Sequence, residues 1–190
     1  MSNIIVMNNE YKDGNALPDV MKYSFRKCVA CGGYGVRINS IESAIADMMY
    51  IKKYHNKIYG KQVAHIVITA DTVFGTERTY TKETKDKDAW YLCQFIEFLT
   101  KTIYKKMGFQ TCFFIHMNTA IPHAHIVINT VNVETGKKLE SASDIAFQMY
   151  EYLKEQYPEM KWEGVHFRKD KKGYGEFCGT AEDRYCGYQM

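Results

Sequence analysis

Residues 109–132 have the sequence FQTCFFIHMNTAIPHAHIVINTVN, and this stretch decides the fold expected of the chain. It contains two runs rich in β-branched and aromatic residues, 109–117 and 123–132, joined by the short segment Asn118–Pro122. Two such runs with so short a connection are typical of a hairpin. The stretch therefore predicts an antiparallel pair of strands inside a sheet.

Helical and extended patterns alternate around this hairpin. Apolar residues at helical spacing predict helices at 40–59, 87–107 and 143–157, with Asn39 and Ser141 as N-caps of the first and third. β-rich runs predict further strands at 4–7, 62–70 and 162–167. We therefore predict an α+β fold, a central antiparallel sheet of about five strands with helices packed on one face.

Three segments between these elements have weaker signals. Residues 18–27 fit either a short helix or an extended segment. Gly32, Gly33 and Gly35 predict a mobile connection, because glycine loses the most conformational freedom when it is ordered. Residues 71–86 are polar and predict a loop.

The composition is that of a globular protein. The 190 residues fit a single domain, 1–190, in which 158–190 is a C-terminal segment of uncertain role. The chain has no apolar run of membrane-spanning length and no visible secretory signal, so we expect a cytoplasmic protein with no membrane partner. A net charge of +3 excludes a uniformly basic DNA-coating protein but allows a local basic surface.

Four of the six cysteines raise the question of a zinc site. Cys28 and Cys31 form a C-x-x-C pair, and Cys178 and Cys186 could supply two more ligands. The spacing of the second pair is looser than in most zinc sites, and a reducing cytosol favours free thiols. The four cysteines could therefore either bind a structural zinc ion or be reduced thiols, and their spacing favours thiols.

The hairpin carries three histidines. His123 and His125 share one face of a strand, because residues i and i+2 point to the same side. His116 ends the preceding strand, and the hairpin brings it beside this pair. Three neutral imidazoles around a divalent cation leave open coordination positions, as a catalytic metal requires. The sequence therefore predicts a metal site at His116, His123 and His125.

The strand that begins at His123 also predicts which way the sheet faces. Its odd positions, 123 to 129, form a face that is polar at its beginning, whereas its even positions are apolar and should meet the helices. His65 lies in the strand predicted at 62–70. It is either a group that supports a metal ligand or an ordinary sheet residue.

The stretch from His116 to Asn129 resembles the third motif of the conjugative relaxases, the mobilisation nucleases, which has the pattern H-x-D-x4-H-x-H-I-x-x-N. The spacing of the three histidines is the same. The continuation 130–138 is also similar to that family, and Val20-Met-Lys-Tyr23 resembles its first motif, which carries a nucleophilic tyrosine. The resemblance covers roughly residues 4–155.

This resemblance implies an HUH endonuclease-like fold and a DNA nickase. Such an enzyme cleaves single-stranded DNA at an origin of transfer and forms a 5′-phosphotyrosine, with a divalent metal, Mn or Mg. The nucleophile it implies here is Tyr23, with Tyr34 as the second choice and Tyr11 as the third. Asn118 stands where the family has aspartate, so it can orient a histidine but cannot balance charge.

The resemblance also implies residues and partners around the reacting groups. Asn118, Asn129 and His65 are the expected supports of the metal ligands. Separately from the resemblance, binding a single strand requires cationic contacts to phosphate, and the candidates are basic residues after the metal strand and near the C-terminus: Lys137, Lys138, Arg168 and Lys169. An ordinary solvated face is the alternative for each cluster. The expected partners are single-stranded DNA, accessory mobilisation proteins and a coupling protein. Lysines of the 40–59 helix, Lys52 among them, are further candidates for the DNA surface.

Other functions remain open at this point. A rolling-circle replication initiator or a single-strand transposase of the HUH class would use the same H-x-H pair and a tyrosine. A non-catalytic DNA-binding accessory protein would keep the fold, and Asn118 is the residue that favours it. A zinc-binding accessory protein would instead depend on the four cysteines at 28, 31, 178 and 186.

Overall fold

The computed structural model describes residues 2–7, 11–71, 81–171 and 174–177. The strands are β1 Ser2–Met7, β2 Ala30–Tyr34, β3 Val63–Thr69, β4 Phe109–His116, β5 His123–Asn132, β6 Trp162–Lys171 and β7 Tyr174–Phe177. The helices are α1 Ala16–Phe25, α2 Ile41–Tyr54, α3 Lys82–Thr102 and α4 Ala142–Gln156. A π-helical turn, Ile103–Met107, continues α3, and a 3-10 turn, Pro158–Met160, precedes β6.

The strands form one sheet in the order β2-β4-β5-β3-β1-β6-β7. Neighbours pair antiparallel except β1 and β6, which are parallel. The predicted α+β class and the central hairpin, β4 with β5, are confirmed. The sheet is wider than the predicted five strands, because β2 and β7 add to it. The predicted last strand, 162–167, lies within β6, so part of the C-terminal segment belongs to the sheet.

The glycines of β2 are strand residues, and the prediction of a mobile connection there was wrong. A Cβ on Gly32 would lie 2.5 Å from the Phe113 ring, and one on Gly33 would lie 2.8 Å from the Thr111 carbonyl oxygen. These glycines therefore let β2 approach β4 closely. Their composition suggested flexibility because the partner strand that needs the space is remote in sequence.

Helices cover both faces of the sheet, so the prediction of helices on one face was wrong. Alternate residues of β5 enter two separate cores: Ala124, Ile126 and Ile128 pack with α3 and α4, as expected for the apolar face. Val127, from the opposite face, packs with α1 and α2. The second core is smaller, and the histidines lie on its face.

Polar side chains fix where α2, α3 and α4 begin. Ser40, rather than the predicted Asn39, caps α2 by accepting a hydrogen bond from the Ser43 amide at 3.0 Å. α3 begins at Lys82, earlier than predicted, because Thr81 and Thr84 form a reciprocal capping box. Of the predicted loop 71–86, residues 72–80 lie outside the described part of the chain. Ser141 caps α4 as predicted.

The segment 18–27, left undecided from sequence, contributes most of α1. α1 lies on the face of the smaller core, where its Leu17 and Met21 are fully buried. This packing brings the last turn of α1 to the edge of the sheet where the hairpin histidines lie. Among the described residues, no helix is both long and apolar enough to span a bilayer.

Candidate metal centre

Three histidines converge at the turn end of the β4–β5 hairpin. His116 lies directly opposite His123 in the ladder, and His125 follows two residues later on the same face. Their ring centroids are 4.9 to 5.2 Å apart. One nitrogen from each ring can be chosen so that all three lie within 4.8 Å of one another. The hairpin therefore brings together three imidazoles that can hold one metal ion.

Hydrogen bonds fix which nitrogen of His116 and His123 faces the centre. His116 Nε2 donates to the Ser24 carbonyl oxygen at 2.6 Å, which leaves the Nδ1 lone pair for a metal. The Thr119 hydroxyl donates to the Ile121 carbonyl at 2.7 Å and accepts from His123 Nδ1 at 3.0 Å. His123 Nε2 is then the free lone pair. Such partners orient metal-binding histidines.

His125 is oriented through His65. His125 Nδ1 lies 2.8 Å from His65 Nε2, and His65 Nδ1 lies 3.4 Å from the Tyr11 hydroxyl. If His125 keeps its Nε2 lone pair, its Nδ1 donates to His65, and His65 Nδ1 then donates to Tyr11. The tautomers of the three rings are therefore mutually consistent with metal binding through His116 Nδ1, His123 Nε2 and His125 Nε2.

Burial favours the neutral form of three of these imidazoles, those of His65, His123 and His125. It lowers the pKa of His65 to about 4. It also lowers the pKa of His125 to about 2, with smaller contributions from the neighbouring histidines His65, His123 and His116. The pKa of His123 is lowered too, chiefly by burial. Metals bind the neutral ring, so these shifts keep the donor atoms available at neutral pH without a proton to displace.

Tyr23 lies in the last turn of α1 beside the histidines. Its ring is edge-on to that of His125 at 5.7 Å, and the side chain is 66% exposed. The next residue, Ser24, is the one whose carbonyl accepts from His116. A carbonyl in the last turn of a helix lacks an intrahelical partner, so His116 both satisfies it and ties Tyr23 to the centre.

The other two tyrosines considered lie differently. Tyr34 is opposite Thr111, five residues along β4 from His116, a separation of about 16 Å. Its hydroxyl donates to Glu97 at 3.0 Å. Tyr11 contacts His65 rather than a predicted metal ligand. Of the three, only Tyr23 combines proximity to the histidine triad with high exposure.

The predicted supporting residues have three different positions. His65 contacts His125 directly. Asn118 is exposed in the hairpin loop, and it is its neighbour Thr119 that holds His123. Asn129 is buried further along β5, where its side-chain amide donates to Met48 and Gln110. Nothing in the sequence indicated a role for Thr119 beyond its place in the loop, or any role for the Ser24 carbonyl.

The predicted DNA contacts are distant from the triad. Lys137 and Lys138 follow the far end of β5, about 30 Å from His123 at ~3.3 Å per residue. The Lys138 ammonium donates to the backbone carbonyls of Tyr59 and Lys61. Arg168 and Lys169 belong to β6, which β3 and β1 separate from β5, a distance of about 14 Å. The structure thus brings neither pair next to the histidines.

Lys52 does not lie on the surface, so the prediction that it lines a DNA groove was wrong. It is fully buried, and its ammonium donates to the Gln62 carbonyl at 2.6 Å and the Thr130 hydroxyl at 3.3 Å. Burial, followed by repulsion from Lys138, lowers its pKa to about 7. The aliphatic stem of a lysine can pack in apolar surroundings, so a lysine can occupy a buried helix position. A helical pattern that counts Lys52 as polar therefore predicts it to be exposed.

The described cysteines are free thiols. Cys28 and Cys31 are neighbours: burial raises the pKa of the Cys28 thiol, and Cys31 raises it further. Cys178 and Cys186, the other two candidate zinc ligands, lie outside the described residues. Among the described residues, the His, Cys, Asp or Glu side chains that lie close enough together, in a group of three or more, to hold a metal ion are those of the histidine triad.

Comparison with known proteins identifies the class. The family model for the nuclease domain of MobA/VirD2-like relaxases matches residues 23–162, which include Tyr23 and all three histidines. This chain therefore belongs to the MobA/VirD2-like relaxase family, and the predicted resemblance is confirmed. No curated protein matches the sequence.

A solved structure from work on the molecular basis of vancomycin resistance transfer in Staphylococcus aureus is similar to this one. The TM-score is 0.45 and the sequences are 10% identical, over 75% of this chain and 77% of that chain.

Proposed function

We propose that this protein is a metal-dependent, strand-specific DNA nickase that cleaves single-stranded DNA at the origin of transfer of a mobile element. The observation that supports it most is the position of an exposed tyrosine, Tyr23, with its ring 5.7 Å from that of His125, one of three histidines whose ring nitrogens converge. Membership of the relaxase family supports the reaction class.

The donor set fits a divalent cation. His116, His123 and His125 are proposed to hold Mn²⁺ or Mg²⁺, and imidazole donors favour Mn²⁺, since Mg²⁺ takes mainly oxygen ligands. When bound, such an ion supplies Lewis-acid polarisation of a phosphate oxygen. The supporting residues keep each lone pair aimed at one point: Ser24 through its carbonyl, Thr119 through its hydroxyl and His65 through its ring.

Tyr23 is the proposed nucleophile. Its oxygen forms a bond to the scissile phosphorus while the bond from phosphorus to the 3′ oxygen breaks, giving a 5′-phosphotyrosine and a free 3′-hydroxyl. The tyrosine proton leaves to solvent, and the departing 3′ oxygen takes up a proton. High exposure of Tyr23 leaves room for a phosphate to approach in line. One phosphodiester replaces another, so the step is reversible and can rejoin DNA.

The wider setting follows from this role. We propose that single-stranded DNA also contacts Lys137, Lys138, Arg168 and Lys169. These residues contact the DNA backbone at phosphates away from the reacting one. We propose a cytoplasmic location, accessory mobilisation proteins that expose the strand, and a coupling protein that receives the covalent complex. Asn118 is compatible with catalysis in this proposal, since Thr119 orients His123.

The test is a labelled-strand assay with the purified full chain and Mn²⁺. The substrates are single-stranded oligonucleotides tiling the element's own origin, each labelled once at its 3′ end and once at its 5′ end. We expect the 3′ label to stay with the protein on a denaturing gel and the 5′ label to be released on a shorter fragment. A chelator should abolish both products.

Each other outcome has a distinct meaning. If both labelled fragments are free of protein, water is the nucleophile and the tyrosine proposal fails. If the oligonucleotides bind but remain intact with Mn²⁺ and with Mg²⁺, the protein is a non-catalytic DNA-binding member of the family. Equal cleavage with and without chelator would remove the metal from the reaction.

A further inference from the structure

A cavity of about 140 Å³ opens beside the histidine triad, on the same face of the sheet. It lies between the end of α1, strand β2 and the beginning of α2. The residues that shape it are Phe25, Cys31, Ile38, Asn39, Ala44 and Phe114. None of them belongs to the histidine triad or is the proposed nucleophile, so the cavity is separate from the groups proposed to react.

The cavity is one side chain away from the reacting groups. Phe114, part of its wall, is the direct ladder partner of His125, and such partners on one face have their Cβ atoms about 5 Å apart. Phe25, on the other wall, follows Tyr23 by two residues on α1. A ligand in the cavity and a phosphate at the triad would therefore be near neighbours.

The walls of the cavity are apolar and partly aromatic. The rings of Phe25 and Phe114 meet edge to face with centroids 6.2 Å apart. Phe114 is buried, whereas Phe25 is 43% exposed and Ile38 is 54% exposed. Large apolar side chains left open to water at a concave site mark a binding surface rather than a core.

One edge of the cavity is polar. Asn39 is exposed at the rim, next to the residue that caps α2, and its amide can both donate and accept hydrogen bonds. The Ser40 hydroxyl next to it is occupied in capping α2. An apolar slot with a hydrogen-bonding amide at its edge suits a flat heteroaromatic ring that has polar atoms on its rim.

We propose that this cavity, the Phe25–Phe114 slot, holds one unstacked nucleobase of the single strand, adjacent to the phosphate at the histidine triad. The inference rests on the proposed function, since it assigns part of that substrate to a site. The ring packs against Phe25 and Phe114, Asn39 contacts its edge, and the sugar-phosphate backbone stays outside. The slot thereby sets which nucleotide is held next to the nick.

Cys31 gives a direct probe of the slot, because its thiol is exposed and lines the wall. The experiment measures alkylation of Cys31 by a small iodoacetamide reagent in the full chain, alone and with two ligands. One ligand is a random-sequence single strand roughly 20 nucleotides long. The other is an abasic strand of the same length. Peptide mass spectrometry follows Cys31 and, as an internal control, Cys93 on α3 across the sheet.

We expect the base-bearing strand to slow alkylation of Cys31 by about fivefold or more, since a stacked base is displaced only rarely. The abasic strand should leave Cys31 reactive, and neither strand should change the rate at Cys93. Equal protection of Cys31 by both strands would overturn the proposal, because the backbone alone would then cover the slot.

A filling substitution tests the same point without the thiol. Cys31→Trp places an indole in the slot, whereas Cys31→Ser leaves the slot open at the same position. Base-bearing and abasic strands should differ in affinity by about tenfold for the Cys31→Ser variant and hardly at all for Cys31→Trp. Circular dichroism melting checks that both variants fold. If Cys31→Trp does not fold, the alkylation experiment on the unmodified chain decides whether a base occupies the slot.

Fluorescence anisotropy of both strands distinguishes failure of the slot proposal from failure of the proposed nickase function. If both strands bind and the base makes no difference to Cys31 or to affinity, the slot proposal fails while the proposed nickase stands. If neither strand binds at any salt concentration, the proposed function fails and the slot proposal fails with it. Protection of Cys31 by an apolar peptide but by no strand would assign the slot to a protein partner and overturn the proposal.

Discussion

Strand β5 has a polar cluster at each end, and the two clusters differ in where their hydrogen-bonding atoms point. At the turn end, His116, His123 and His125 each use one ring nitrogen on a protein partner and aim the other at a shared point. At the far end, the polar atoms are occupied within the protein: the buried Lys52 donates to Gln62 and Thr130.

The far end shows the same pattern in its other members. Asn129 donates to Met48 and Gln110, and Lys138 donates to two backbone carbonyls. Both ends held candidates for function in the sequence: the three histidines at one end, and Asn129, Lys52 and Lys138 at the other. The difference lies in the lone pairs left over, because a buried polar group whose partners are complete supports the fold, whereas converging unused donor atoms can bind a ligand.

The largest effect that this comparison predicts is at Tyr23, on the histidine side. Tyr23→Phe keeps the ring beside His125 and removes only the hydroxyl. We expect the rate of covalent adduct formation to fall by at least ~1000-fold, because positioning cannot replace a nucleophile. The free energy of unfolding should change by less than about 0.5 kcal/mol, since the side chain is exposed.

Tyr34→Phe is the matched control for that experiment. It removes the same atom from a tyrosine whose hydroxyl is bonded to Glu97, about 16 Å along the ladder. The adduct should form at nearly the normal rate. If Tyr34→Phe abolishes the adduct and Tyr23→Phe does not, the nucleophile is misassigned although the mechanism survives.

The next largest effect is on metal binding, and it compares one histidine at each end of β5. His125→Ala should abolish measurable Mn²⁺ binding and nicking, because two imidazoles hold a divalent ion far less tightly than three. His55 lies at the other end of β5, where its Nε2 bonds to the Val133 carbonyl at 3.1 Å. His55→Ala should leave Mn²⁺ affinity unchanged in a calorimetric titration. Loss of binding in both variants would contradict the contrast drawn between the ends.

A smaller effect is expected one step behind the triad. His65→Leu removes the acceptor that fixes His125, and loss of such a partner typically weakens metal binding by about 10- to 100-fold. His65→Gln keeps a side-chain acceptor and should restore part of that affinity. Competition for Mn²⁺ with a chromophoric chelator measures both. Equal affinities for the unmodified protein and His65→Leu would mean that His65 is only a sheet residue.

The smallest effect is on stability at the far end. The unfolded chain keeps the Lys52 proton up to about pH 10.5, whereas the folded chain loses it above about pH 7. Between these values the unfolded state binds more protons, so the free energy of unfolding rises with pH, by at most about 1.4 kcal/mol per pH unit. Lys52→Met should remove this rise in urea denaturation measured between about pH 7 and pH 9.

Lys53→Met is the control, because it removes an exposed lysine from the next position of α2. The rise of stability with pH should be the same in this variant as in the unmodified protein. A persistent rise in Lys52→Met would show that other groups, rather than the buried ammonium, carry the pH dependence.

The triad was predictable from sequence because its geometry is local. Two residues on one strand and a third across a short hairpin are placed by the period of a strand and the length of a turn. The apolar face of β5 followed from the same alternation. The α+β class followed in turn, since a hairpin between helices requires an antiparallel sheet.

Features that depend on remote contacts were not predictable. β2 forms because its glycines fit against Phe113 and Thr111, a match that neither segment reveals alone. The Ser24 carbonyl has no sequence signature, since every residue carries the same backbone atom. Lys52 looked like an exposed lysine because helical periodicity does not show that α2 turns that position toward β5.

The bond from His116 to the Ser24 carbonyl has a consequence for the dynamics of α1. The ring proposed to bind metal on one side restrains the last turn of α1 on the other, so opening of that turn and release of the proposed ion would be linked equilibria. At an ion concentration 100 times its Kd, this linkage is worth up to about 2.7 kcal/mol. Backbone amides around Tyr23 should therefore exchange with deuterium more slowly in Mn²⁺ than in chelator, while those of α4, on the opposite face, exchange at the same rate in both.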